Sequence, residues 1–445
     1  MMKSDFSCCD AAMLAPEVAI VLKDELKKER TLGNMAWQVN PWSTRRKRTQ
    51  VLALIAFATM NQARAADPDQ VVTPYAQYSI LYDDNLLRLR DPAAAQAAVG
   101  TTQMSDYVHS TLAGIRFDRM FSRQHIKLDA SVNKNSFDYF KQFDNNGRDL
   151  NAYWGWALGE RLTGDIGYVY SQALTPFQNL RVLEKNIRTM QTKYATVAWQ
   201  LHPDWTVRAQ YSRFGLDYDL ASQQANNFTQ DIADLGLDYT ARSGSIAGVV
   251  VRHTKANYPE STILGGAAIN NSFTQDELKA RVMWLYSAKT KLQFLGGYVT
   301  RERVNGGSAD YSGFNARLIA DWQATAKTAF KLNLWREIGG LSDVDANYAL
   351  TNGISLAATL KSSEKLRFDG SFDYQRRNYN GAAVITGVTP SNRKDKYQKA
   401  SLSVTYYPTR SLSLMFGVYR EDVQSNIDSF GYVSNGMALT TRYEF

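Results

Sequence analysis

Gly436-Met437-Ala438-Leu439-Thr440-Thr441-Arg442-Tyr443-Glu444-Phe445 ends the chain, and the order of these residues decides the fold. Met437, Leu439, Tyr443 and Phe445 fall on one parity, while Gly436, Ala438, Thr440, Arg442 and Glu444 fall on the other. A period of two describes a β-strand with one apolar and one polar face. An aromatic residue closing such a strand at the carboxyl terminus has the form of a C-terminal assembly signal, here Tyr443 and Phe445, read by a barrel-assembly machinery. The expectation is an all-β chain: a transmembrane antiparallel β-barrel of the outer membrane, bathed in outer-membrane lipid.

The same alternation recurs upstream. Ile126, Leu128, Ala130 and Val132 alternate with Lys127, Asp129, Ser131 and Asn133. Leu366, Phe368, Phe372 and Tyr374 alternate with Arg367, Asp369, Ser371 and Asp373, and Ala400, Leu402, Val404 and Tyr406 with Lys399, Ser401, Ser403 and Thr405. The connections between runs alternate in length. Short turns fall at Ser122-Arg123-Gln124, Gly159-Glu160-Arg161, His202-Pro203-Asp204, Arg242-Ser243-Gly244, 287–290, 324–327, 361–365 and Pro408-Thr409-Arg410. Longer polar links occupy 91–106, 140–149, 175–185, 219–227, 258–271 and 380–395. Short periplasmic turns and long external loops are the asymmetry of outer-membrane barrels. About eighteen strands are expected on this spacing. The runs near Leu112 and Val250 alternate poorly. A closed sheet is required, because unpaired backbone groups are costly in hydrocarbon. A β-solenoid would need a repeat of fixed length, which this spacing lacks.

Composition agrees. The chain carries 25 Tyr, 19 Phe and 9 Trp with a negative mean hydropathy, as expected where only alternate residues meet lipid. Outward Trp154, Trp156, Trp199, Trp284, Trp322, Tyr406 and Tyr443 are expected to form interfacial girdles. The formal charge is +8, but residues 1–65 hold ten Lys/Arg and six Asp/Glu, leaving 41 basic and 37 acidic residues beyond them. So weak a bias gives no concentrated basic face for nucleic acid.

The N-terminal region divides into a leader at 1–44, which a misplaced start would explain, and a signal peptide at 45–65. The latter joins the basic cluster Arg45-Arg46-Lys47-Arg48, an apolar run at 51–60 and small residues at Ala63 and Ala65. Both cysteines, Cys8 and Cys9, lie in the leader. Residues 66–74 are expected to be a short periplasmic N-terminus and 75–445 the barrel, with a first strand at 75–87. No plug domain fits before that strand, so any constriction must come from inward-folded loops.

The polar parity supplies candidate lumen-facing residues: Lys127, Asp129, Arg208, Arg281, Arg317, Asp321, Lys331, Arg367, Asp369, Lys399 and Arg442, with Tyr153, Tyr407 and Tyr419 beside them. Aromatic and charged groups together would let a sugar chain slide through exchangeable contacts. A polar lumen neutralised by its own salt bridges is the alternative. His109, His125, His202 and His253 show no metal spacing, and no phosphate-cradling glycine loop is present. No catalytic, cofactor or metal residue is therefore assigned, although strand pairing could assemble a barrel enzyme acting on lipid or polysaccharide that sequence spacing does not show. The acidic cluster at the end of the first strand, Asp83-Asp84-Asn85, is expected to cap a turn through its own backbone in preference to holding Ca²⁺.

Tyr82-Asp83-Asp84-Asn85-Leu86-Leu87-Arg88 behind a signal peptide resembles the EpsL group of proteobacterial outer-membrane proteins. Phe117-Asp118-Arg119, Phe137-Asp138-Tyr139, Tyr153-Trp154 and Asn186-Ile187-Arg188-Thr189 add to the likeness, which extends over 66–445. The leader departs from that pattern. The resemblance implies a barrel in exosortase-associated exopolysaccharide biosynthesis or export, with a polysaccharide substrate and separate periplasmic and inner-membrane components. It supplies no catalytic residues. A general diffusion porin for small solutes is the other reading.

Overall fold

The computed structural model describes residues 71–177, 184–264, 267–304, 310–340, 348–380 and 393–445. The leader, the signal segment, residues 66–70 and most of the 380–395 link lie outside them. Nine strands form the first half: β1 Val72–Asp83, β2 Asp106–Phe121, β3 Gln124–Phe137, β4 Asn145–Leu158, β5 Leu162–Leu174, β6 Ile187–His202, β7 Trp205–Tyr218, β8 Phe228–Thr240 and β9 Ile246–Asn257. A small hairpin, β10 Thr262–Leu264 and β11 Ala267–Ile269, follows. The second half comprises β12 Phe273–Ser287, β13 Thr290–Arg303, β14 Tyr311–Trp322, β15 Thr328–Gly340, β16 Tyr348–Lys361, β17 Leu366–Asn380, β18 Lys394–Tyr406, β19 Leu412–Ser425 and β20 Tyr432–Glu444.

Apart from the small hairpin, each strand pairs antiparallel with its sequence neighbours, and β9 pairs with β12 across the hairpin. β20 returns to β1 in continuous register from Tyr75 opposite Glu444 to Asp83 opposite Gly436. The sheet is thus a closed 18-stranded antiparallel barrel. Closure leaves no edge, the condition for a sheet in lipid. Phe445 completes the seam by donating its backbone N–H to the Pro74 carbonyl at 2.9 Å.

All eight expected short turns separate strands at one end of the barrel. One of the tightest joins Phe121 to Gln124 through two residues, with Ser122 in the left-handed region at φ 55°; such backbone suits the twist of a two-residue hairpin. The first strand corrects the expected 75–87. It begins at Val72 and stops at Asp83, because the Asp83 carboxylate accepts the Asn85 N–H at 2.9 Å and turns the chain. The expected link at 140–149 is also shorter, since β4 begins at Asn145.

Sidedness follows the alternation. Along β12, Gln275, Glu277 and Lys279 are buried on the inner wall, while Leu278 between them is 62% exposed on the outer one. Such exposure of a leucine is costly in water and favourable in hydrocarbon. Trp154, Trp199, Trp284, Trp322 and Tyr406 are exposed within a few residues of the short turns, forming a girdle at that end. Tyr443 is instead buried, with its ring edge-on to Phe445 at 4.9 Å. Packing at the seam takes it out of the girdle.

Candidate functional site: lumen wall and mouth

Strand register places all the candidate lumen residues on the inner parity, and each meets an opposite charge there. Lys127 Nζ lies 2.9 Å from Asp118, and Arg116 lies 3.3 Å from Asp129. Asp238 is shared by Arg208 at 2.7 Å and Arg281 at 2.5 Å. Arg317 grips Glu337 through two nitrogens, Nε to Oε1 at 2.9 Å. Lys331 pairs with Asp321 at 3.4 Å, Arg367 with Asp369 at 2.7 Å, Lys399 with Glu421 at 3.6 Å and Arg442 with Glu444 at 2.9 Å. Tyr75 joins this wall: its hydroxyl donates to Asp129 at 2.6 Å, and the Arg442 guanidinium lies 3.9 Å from its ring centre. The wall is polar but neutralises itself locally. Residual fields from such pairs fall off quickly in a water-filled lumen.

This arrangement fixes the expected ion selectivity. The wild-type channel should show only weak preference in a KCl gradient. Lys331→Met removes a positive charge beside Asp321 and should shift the reversal potential towards cations; Asp321→Asn removes a negative charge beside Lys331 and should shift it towards anions. Both side chains are about a third exposed, so each change should leave the barrel folded. Shifts of the same sign, or none, would show that this pair does not border the ion path.

The mouth at the long-loop end is built from the Tyr82–Arg88 segment. Asp83 is 2% exposed and makes four contacts: Oδ1 accepts from Asn85 N and from Ser434 Oγ at 2.8 Å, and Oδ2 accepts from Arg88 and Tyr419 Oη, each at 2.7 Å. Asp84 holds Asn435 through its backbone N–H at 2.6 Å and its side-chain amide at 2.7 Å. Asn85 accepts the Leu89 N–H at 3.0 Å and donates to the Leu89 and Val433 carbonyls. Tyr82 packs against Tyr107, ring centres 5.0 Å apart. The segment is thus a knot tying the first loop to β19 and β20. No metal is needed to hold it, and no group of three or more metal-ligating side chains occurs among the described residues.

Arg88 is the pivot. Its φ of 56° is uncommon for a residue with a side chain, and it aims the guanidinium at the inner wall, towards Asp83 and Glu421. Burial alone would push this group towards neutrality, but the carboxylates of Asp83 and Glu421 outweigh it and hold Arg88 protonated more firmly than an ordinary arginine. Gly436 makes room for this contact. A Cβ there would lie 2.3 Å from the Tyr419 ring, which rests across the glycine to reach Asp83. Beyond Arg88 the loop forms α1, Pro92–Val99, capped by Asp91 accepting from Ala94 N at 2.8 Å and closed by Gly100 at φ 71°. Leu86, Leu87, Leu89 and Ala95 pack against Phe137, Phe140, Phe143 and Phe177. The first loop is therefore an inward-folded element with its own apolar core.

Elsewhere the mouth repeats one pairing of groups. Arg301 lies 3.8 Å from the Phe273 ring centre, Arg377 4.8 Å from Tyr397, and Arg393 sits between Tyr379 at 4.3 Å and Phe430 at 3.6 Å. Two residues escaped sequence reading. Glu421, 1% exposed, receives Arg88, Lys399 and the Tyr432 hydroxyl; its inner parity on β19 was the available signal. Asp106, 3% exposed, accepts the N–H groups of Tyr107, Asp138, Tyr139 and Phe140 and so shapes the second external link; nothing in sequence marks it. The histidines face carboxylates at four separate places, His109 with Asp138, His125 with Asp118, His202 with Asp204 and His253 with Asp276, and none bonds a serine among the described residues.

A closed barrel with an apolar outer wall, an aromatic girdle and a self-paired polar lumen defines a porin-like β-barrel of the outer membrane. Residues 271–445, the nine strands β12 to β20, match the family described as "Putative beta-barrel porin 2". No curated protein sequence gives a significant match. Similar solved structures include Pseudomonas aeruginosa OccK2 (OpdF), 10% identical over 84% of this chain and 98% of that one with a TM-score of 0.44. Acinetobacter baumannii OccAB3 is 8% identical over 84% and 99%, TM-score 0.43, and a BenF-like porin from Pseudomonas fluorescens Pf-5 is 8% identical over 86% and 100%, TM-score 0.43. At this identity and overlap they add nothing to what strand pairing already shows.

Proposed function

We propose that the barrel is a passive outer-membrane channel for an exopolysaccharide, as the resemblance to the EpsL group implies. The observation that carries this reading is the inner wall on which every candidate charge is already paired. A hydroxyl-rich polymer can exchange hydrogen bonds along such a wall without meeting a single deep site, which suits onward movement. Polymerisation or separate inner-membrane and periplasmic components would supply the drive, and the barrel-assembly machinery would insert the chain.

A general diffusion porin is the second reading, and the porin family match over β12–β20 favours it. Planar bilayers separate the two. With dextran added on the short-turn side, export predicts interruption of the current at polymer concentrations where the same mass of glucose has no effect. Current indifferent to dextran, with glucose permeating freely, would favour the diffusion porin. In cells, deletion should leave polymer in the periplasm; unchanged surface polymer would sink the export reading.

A further inference from the structure

We propose that the outer wall carries a binding site for lipopolysaccharide, which holds a phosphoryl headgroup at the long-loop end and an acyl chain below it. The site lies on β13 to β18. Across neighbouring strands, Arg336 faces Asn352, Asn352 faces Arg376, and Arg376 faces Lys396. All four lie on the outward parity, and the three basic residues are exposed. At ~4.8 Å per strand the row is roughly 14 Å wide.

The guanidinium groups are held by neutral oxygens. Arg336 donates to Asn352 Oδ1 at 3.1 Å, and Arg376 donates to the Tyr374 hydroxyl at 2.6 Å while lying 5.7 Å from its ring centre. Among the described residues neither has a carboxylate partner. Asp422 is the outward acid on the strand beyond, opposite Gln398 and one row nearer the membrane centre than Lys396. This differs from the lumen, where each candidate charge is matched, and from β7–β8, where outward Arg213 meets Asp231 at 3.5 Å. Uncompensated cations on a lipid-facing wall call for anions from the lipid.

Beside the row lies a shallow depression on the outer wall. Phe294, Leu318, Leu334 and Ile354, the next outward row towards the short turns, line it together with Arg336 and Arg376. Ala316, directly opposite Arg336 on the neighbouring strand, also lines it. Apolar trough and basic head therefore adjoin, the two halves of one amphiphile. Position selects the lipid. The row sits at the end opposite the aromatic girdle and the short turns, so it faces the outer leaflet, whose anionic lipid is lipopolysaccharide.

The test uses the intact barrel in detergent and purified lipid A as the probe, with binding counted by native mass spectrometry. The triple variant Arg336→Gln, Arg376→Gln, Lys396→Gln should bind lipid A at least roughly tenfold more weakly, from the loss of charge-assisted hydrogen bonds. Arg213→Gln, elsewhere on the same wall, should bind as wild type. Dephosphorylated lipid A should bind the wild-type barrel as weakly as lipid A binds the triple variant, which keeps the test decisive even if that variant folds poorly. Equal binding of phosphorylated and dephosphorylated lipid A, or displacement of lipid A by equimolar phosphatidylglycerol, would overturn the proposal.

Discussion

Replacing Arg88 with alanine is expected to release the first loop from the lumen and raise single-channel conductance severalfold. The change leaves Asp83 and Glu421, exposed 2% and 1%, without the cation that faces both. Breaking a buried pair by removing one partner costs about 3–5 kcal/mol. The loss falls on the 84–105 loop and not on the strands, because the β1–β20 ladder holds without Arg88. The loop's apolar core, Leu87 and Phe143 above all, then competes with water for its contacts. Arg88→Lys should keep conductance near wild type, since a single ammonium can still face Asp83. Unchanged current in the alanine variant would mean that this loop does not narrow the passage.

Placing arginine at Leu278 should cost about 2–4 kcal/mol, the penalty for a cation on the lipid face near the bilayer centre. Leu278 stands six residues from Trp284 in the girdle, roughly 15 Å along the membrane normal for a tilted strand. The neighbouring Lys279 carries the same charge at no such cost, because it turns inward and meets Glu277 at 2.9 Å. Urea unfolding in vesicles should show Leu278→Arg well below Leu278→Ala. If the two variants melt together, the outer wall does not meet hydrocarbon at this height.

The contrast between 278 and 279 explains how much of this fold could be read from letters alone. Lipid and water impose opposite demands on adjacent residues, so parity survives in the sequence, and the eight short turns punctuate it. The runs near Leu112 and Val250 read poorly because β2 and β9 put those apolar side chains inward; Val250 packs beside Gly236 at the inner wall. The end of the first strand was misplaced for another reason. Leu86 and Leu87 continue an apolar pattern, and only the bond from Asn85 N–H to the Asp83 carboxylate breaks it. The mouth was the least legible part. Tyr419 and Asp83 bond across 336 positions of chain, and no local pattern announces that meeting. Sequence marked the Tyr82–Arg88 segment as distinctive, yet its partners on β19 and β20 appear only once the wall is closed.

That closure has a further consequence. The seam between β1 and β20 uses the same ladder as every internal hairpin, and Phe445 reaches the Pro74 carbonyl. A circular permutant that links the two seam strands by a short hairpin and opens new ends at Ser122-Arg123 would present the same cylinder to the membrane. Only the order in which the staves arrive would differ, and with it the strand that waits longest for its neighbour.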